Sequence, residues 1–151
     1  MPSPPVHHVD VRAFRYATEV PARVEAALSA VYPGLGDPEE PAIDRTTTEG
    51  HYGHEIDIYE AHLETTDQLR TVFDRLRDGG DLGRVHDELG DRVTQDNELF
   101  LRLDKQTAYT EGVLRLGTGI ELRAKIEAYP AKRETAIENL DGYLSALRED
   151  G

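Results

Sequence analysis

Between Leu99 and Asp104 apolar and polar residues alternate one for one, with Leu99, Leu101 and Leu103 set against Phe100, Arg102 and Asp104. A period of two belongs to a strand with one buried face, so the chain is committed to a sheet packed on one side. The same alternation returns at 120–129, where Ile120, Leu122, Ala124, Ile126 and Ala128 oppose Glu121, Arg123, Lys125, Glu127 and Tyr129. It returns again at 6–17, with Val9, Val11 and Ala13 inward and His8, Asp10, Arg12, Phe14 and Tyr16 outward. The stretch 99–109 is expected to be a central strand, its outer side carrying Arg102, Asp104 and Gln106, with Lys105 and Tyr109 close by.

Helical spacing fills the intervals. Thr18 and Pro21 open a helix whose face is Val24, Ala27, Leu28 and Val31, and Pro33-Gly34 ends it. A loop over 35–41 leads into a hairpin, with strands near 42–48 and 55–64 around Gly50-His51-Tyr52-Gly53. Thr65 or Thr66 caps a helix striped by Leu69, Val72, Phe73 and Leu76, and a short helix over 82–90 turns Leu82, Val85 and Leu89 inward. After a turn at Glu111-Gly112 a further strand is expected over Val113–Leu116, and the last helix, 132–148, carries Ile137, Leu140, Leu144 and Leu147. The order β-α-β-β-α-α-β-β-β-α implies an α+β fold: a single, largely antiparallel sheet with the helices packed on one face. Residues 1–5, rich in Pro, read as a flexible tail, and 6–148 as a single domain.

Composition narrows the function classes. With 151 residues, 38% of them hydrophobic and 31% charged, the chain has one compact core to build. No apolar run approaches the length of about 20 residues that spans a bilayer, so no membrane partner is expected. The absence of cysteine removes disulfides and thiolate metal sites, and a cytoplasmic location follows as the expectation. The net charge is −13, and only Lys105, Lys125 and Lys132 are lysines, which suits a halophilic source where repulsion among carboxylates is screened. The charge is unevenly distributed: residues 6–18 and 99–133 together carry a net +4, and the remainder −17.

Three kinds of chemistry come into question. Cations interleaved with rings on a strand face are what stack bases and meet phosphates, which points to RNA. His51, His54, Glu55 and His62 are metal-ligand types near the hairpin turn, but their spacing matches no zinc pattern, and neither a metal nor a cofactor is expected. There is no cysteine nucleophile, Walker-type glycine loop or Gly-x-Ser-x-Gly elbow, so no catalytic residues are assigned and an enzyme is not expected.

The segments His7-His8-Val9-Asp10-Val11-Arg12-Ala13-Phe14 with Thr18-Glu19, Gly50-His51-Tyr52-Gly53, Asp104-Lys105-Gln106-Thr107-Ala108-Tyr109, and Glu127-Ala128-Tyr129-Pro130 together resemble an archaeal RNA-binding protein family described as predicted exosome subunits. The resemblance runs from about residue 6 to about 147. It implies a fold similar to the L-five-type ribosomal protein or a double-stranded-RNA-binding domain, and a role in RNA processing or degradation with RNA, and exosome proteins, as partners.

The expected RNA surface is therefore Arg12, Arg102, Lys105, Arg123 and Lys125 on phosphates, Gln106 on bases or 2′-hydroxyls, and Tyr16, Tyr109 and Tyr129 as rings. His51 and Tyr52 extend it from the hairpin turn. The rival reading is a protein-interaction or homodimerisation module that uses the same face without RNA.

Overall fold

The alternating segments and the expected hairpin become five strands among the described residues. The computed structural model describes residues 3–33, 35, 43–50 and 53–149. Its strands are β1 (Val6–Arg15), β2 (Ile43–Glu49), β3 (Glu55–Leu63), β4 (Glu98–Asp104) and β5 (Gly119–Ile126). They form one sheet of order β2-β3-β1-β5-β4, with every neighbouring pair antiparallel. The helices are α1 (Pro21–Ser29), α2 (Thr66–Asp78), α3 (Leu82–Asp87), α4 (Leu89–Arg92), α5 (Lys105–Glu111) and α6 (Arg133–Glu149). The fold is α+β, as the alternation and helical spacing imply.

The inward positions of the alternating segments build the core. Val9, Val11 and Ala13 of β1, Leu99, Leu101 and Leu103 of β4, and Ile120, Leu122, Ala124 and Ile126 of β5 are all buried. From the helices come Val24, Ala27 and Leu28 of α1, the stripe Leu69, Val72, Phe73 and Leu76 of α2, and Leu140, Leu144 and Leu147 of α6. Each Val, Leu, Ile or Phe side chain among them contributes about 1.5–3 kcal/mol on burial, so the stripe rather than intrinsic propensity holds α2 in place. Its start is a capping box: the Thr65 hydroxyl accepts from Gln68 N–H, and the Gln68 side chain accepts from Thr65 N–H. Helix α1 begins differently, with Val20 at the cap and Pro21 in the first turn, so the expected Thr18 cap is not made.

Three expectations are corrected. First, the central strand is β1, between β3 and β5, whereas β4 lies at an end of the sheet. Leu99, Leu101 and Leu103 are buried there as inward positions packed into the core, and the outer edge of β4 is itself partly paired: Val93 bridges to Leu99 and Leu116 to Leu103, and Gly117 N–H donates to the Arg102 carbonyl. An edge shielded in this way escapes the exposure that usually keeps edge strands polar.

Second, the stretch 99–109 is not one strand. At Asp104 the chain turns into α5, because the Asp104 carboxylate accepts from Thr107 N–H at 3.0 Å and from the Thr107 hydroxyl, the pattern of a helix N-cap. Gly112, with φ of +68°, ends the helix. Third, the segment from Val113 to Leu116 contributes only the bridge to β4, so β5 follows α5 directly in the element order.

Candidate nucleic-acid interface

Pairing registers decide what the uncovered side of the sheet carries. Arg12 of β1 stands between Glu60 of β3 and Glu121 of β5; Asp44 of β2 lies beyond Glu60, and Arg102 of β4 beyond Glu121. One row therefore crosses all five strands as Asp44, Glu60, Arg12, Glu121 and Arg102. The neighbouring row runs His62, Asp10, Arg123 and Phe100, and the next pairs Lys125 with His8 and with Glu98. Arg12, Arg102, Arg123 and Lys125 thus share one face, as expected.

That face is not simply basic. Acids on β2 and β3, which lie apart from the cations in sequence, come into register beside them: from Glu60 to Arg102 the signs alternate, the favourable arrangement for directly opposed pairs, whereas Asp44 and Glu60 set two acids side by side.

The rings on this face are tied to the cations. Arg123 lies 4.5 Å and Arg102 5.7 Å from the centre of the Phe100 ring, and Arg12 lies 5.1 Å from that of Phe14. Lys125 bends its ammonium onto the Asp96 carbonyl. A depression of about 390 Å³ opens in the middle of the face, with Asp10, Arg12, Glu60, His62, Glu121 and Arg123 in its lining.

Lys105, Gln106 and Tyr109 belong to a second cluster. Because they ride on α5, they meet the chain leaving β1 and the start of α1 rather than the sheet face. The Lys105 ammonium donates to the Phe14 carbonyl at 2.7 Å and to Glu19 Oε1 at 2.8 Å, and sits 5.4 Å from the centre of the Tyr16 ring. Its side chain is only 15% exposed. Burial alone pushes the Glu19 carboxyl up, but hydrogen bonds from Lys105 and from Tyr16 N–H, with the charges of Lys105 and Arg15, hold it below its ordinary value.

Arg23 of α1 lies 5.3 Å from the Tyr109 ring centre, and a cavity of about 140 Å³ is lined by Thr18, Glu19, Arg23, Lys105, Gln106 and Tyr109. Two glycines permit this junction. A Cβ on Gly117 would stand 2.4 Å from the Asp104 Cβ, and one on Gly119, at φ of +108°, 2.6 Å from the Lys105 Cβ.

The remaining expected residues lie elsewhere. Tyr16 falls just beyond β1 and is half-exposed beside Lys105. Tyr129, past the end of β5, is 97% exposed and joins neither cluster. His51 and Tyr52 lie outside the described residues. His62 cannot meet His54: His54 stands just before β3 and His62 near its far end, about 26 Å apart at roughly 3.3 Å per residue. Instead, His62 Nδ1 is 2.7 Å from Asp10 Oδ1.

Sequence reasoning missed a buried acid on the covered face. Asp57 is 1% exposed, and its carboxylate accepts from Arg15 Nε at 2.8 Å, Arg45 Nη2 at 2.8 Å and the Thr47 hydroxyl at 2.8 Å. The Thr47 hydrogen bond, against the effect of burial and together with Arg15 and Arg45, holds its carboxyl below the ordinary range. The signal was present, since Asp57, Tyr59, Ala61 and Leu63 are the inward positions of β3, and an acid there requires partners.

Comparisons with known proteins agree with this architecture. A protein of solved structure from Methanothermobacter thermautotrophicus, Mth689, is 38% identical with a TM-score of 0.76, over 92% of this chain and 98% of its own. Protein AF2318 from Archaeoglobus fulgidus is 28% identical with a TM-score of 0.74, over 94% of this chain and 99% of its own. The RNA-binding protein PAB1135 of Pyrococcus abyssi is 27% identical over 144 residues, covering 91% of this chain and 93% of its own. The family described as RNA binding matches residues 8–126, a span that holds all five strands apart from the first two residues of β1, and the chain belongs to that family.

Proposed function

We propose that this protein binds RNA on the uncovered face of the sheet, as an accessory factor in RNA processing or degradation that acts with exosome or other processing proteins in the cytoplasm. The observation that carries the reading is the group in which Arg102 and Arg123 flank Phe100, repeated in smaller form by Arg12 over Phe14. Planar guanidinium groups and rings are surfaces on which unstacked bases rest, while the same guanidinium groups reach phosphates. Acids in the same rows reduce the net attraction for a polyanion, so stacking carries more of the affinity than charge does, as a salt-rich cytoplasm also requires.

Membership of the RNA-binding family supports this reading, as does the similarity to a relative named for RNA binding. Lys105 then acts as a strut rather than a phosphate contact, since Glu19 and the Phe14 carbonyl occupy its ammonium. Gln106, Tyr109 and Arg23 supply the outward chemistry of the second pocket.

The test is fluorescence anisotropy with a stem–loop RNA across a KCl series, comparing wild type with Arg102→Ala plus Arg123→Ala. The expected result is weaker binding by the variant at every salt concentration, including molar KCl. Equal binding by both proteins would remove the face as the site.

A second reading is favoured by one observation. Between Glu60 and Arg102 the signs alternate, a pattern that can complement a copy of itself, so the face also suits a second copy of the chain or another protein. A concentration-dependent dimer that Arg12→Glu dissociates, with no RNA bound by wild type, would select it.

A further inference from the structure

We propose that His8, Asp10 and His62 form a binding site for a divalent transition-metal ion of the zinc class on the uncovered face of the sheet. Asp10 and His62 are directly opposed on β1 and β3, and His8 precedes Asp10 by two positions, so the three side chains leave rigid strands on the same side. His62 Nδ1 is 2.7 Å from one Asp10 oxygen, and His8 Nδ1 is 3.3 Å from the other. One ligand atom from each of the three residues falls within 4.8 Å of the other two. Donors about 2.1 Å from a tetrahedral ion stand roughly 3.4 Å apart, so small side-chain rotations bring these atoms to coordination distance.

Two features favour an ion over a plain histidine–carboxylate pair. His8 Nδ1 is buried from solvent and has no hydrogen-bond partner among the described residues, although it faces a carboxylate. A cation between the two would satisfy both. His62 also presents its other nitrogen, Nε2, to Glu64 Oε2 at 3.3 Å. A carboxylate on the far ring nitrogen is what orients a ligating imidazole and directs its lone pair at a metal. Two imidazoles and one carboxylate suit zinc and its neighbours rather than calcium or magnesium, and leave a fourth position for water.

The probe is Zn²⁺ or Co²⁺ alone, added to chelator-stripped protein without a histidine tag and followed by calorimetry and by the visible absorption of bound Co²⁺. One ion per chain is expected. His8→Ala and His62→Gln each weaken binding by at least about tenfold, Glu64→Gln weakens it by roughly tenfold, and His54→Ala, at the hairpin, leaves it unchanged. Circular dichroism on each variant separates lost ligands from lost fold. Absence of uptake by wild type, or uptake indifferent to His8→Ala and His62→Gln, overturns the site. The readout contains no RNA, so the RNA reading stands or falls independently.

Discussion

Two cross-strand rows, one on each side of the same sheet, handle charge in opposite ways. On the covered side the row Thr47, Asp57 and Arg15 encloses a single carboxylate, bonded by two guanidinium groups and a hydroxyl. On the uncovered side the row Asp44, Glu60, Arg12, Glu121 and Arg102 spreads five charges across five strands, with solvent above them. A buried pair is strongly coupled because removing one partner strands the other in a poor solvent. Exposed charges are screened and interchangeable. The covered row thus serves cohesion, and the uncovered row has its charges available to a ligand.

The largest effect is therefore expected from Asp57→Ala, which leaves Arg15, itself only 13% exposed, without its carboxylate. The loss should be about 3 kcal/mol, read as a fall in melting temperature of roughly 6–12 °C at this chain length. A comparable loss from Glu60→Ala on the other side would erase the contrast between the rows.

The pH dependence sharpens it. The folded Asp57 carboxyl titrates below its unfolded value, first because of the Thr47 hydrogen bond. Its contribution is therefore complete above the ordinary carboxylate range and is lost as pH falls through the folded value. The stability gap between wild type and Asp57→Asn, measured by denaturant unfolding, should narrow from pH 7 towards pH 3.

Next in size is Gly119→Ala. It combines a positive φ with a Cβ 2.6 Å from that of Lys105, and so forces the junction between β5 and α5 apart. About 2 kcal/mol is expected from the backbone strain and the displaced lysine. Lys105→Ala follows at about 1–2 kcal/mol, since it leaves Glu19 half-buried without its main partner. A double-mutant cycle with Glu19→Ala should return a coupling of roughly 1 kcal/mol. A coupling of zero would mean that the Lys105–Glu19 pair adds nothing to cohesion, contrary to the strut proposed for it.

How much of this was legible in the sequence depends on whether a residue's partners are local. Leu99, Leu101 and Leu103, the stripe of α2 and the Thr65 cap were readable because periodicity and capping act within a few positions. The exchange of centre and edge between β1 and β4 was not, because strand order depends on non-local pairing and the alternation in the two strands looks alike.

Lys105 shows the other failure. Counted as a cation beside Arg102, it belongs to the next element once Asp104 caps α5, and its charge is then used internally. The Asp-x-x-Thr spacing at 104–107 was the available signal for that boundary. The acids opposite Arg12 could not be assigned from sequence without the register that places Glu60 and Glu121 beside it.

The smallest effect on stability, and the most informative about ligand, is expected from Arg102→Ala. Its exposed side chain lies on the uncovered row opposite Glu121 and over Phe100, so its loss should change unfolding free energy by no more than about 0.5 kcal/mol. If Arg102 meets a phosphate, the variant should bind a stem–loop RNA more weakly by a factor that shrinks as salt rises, with the slope of log affinity against log salt reduced by about 1. If it instead presents a stacking plane, the factor should persist unchanged into molar KCl. The same substitution thus separates charge from stacking on this face, and an unaltered protein with unaltered RNA affinity would place the ligand away from Phe100 altogether.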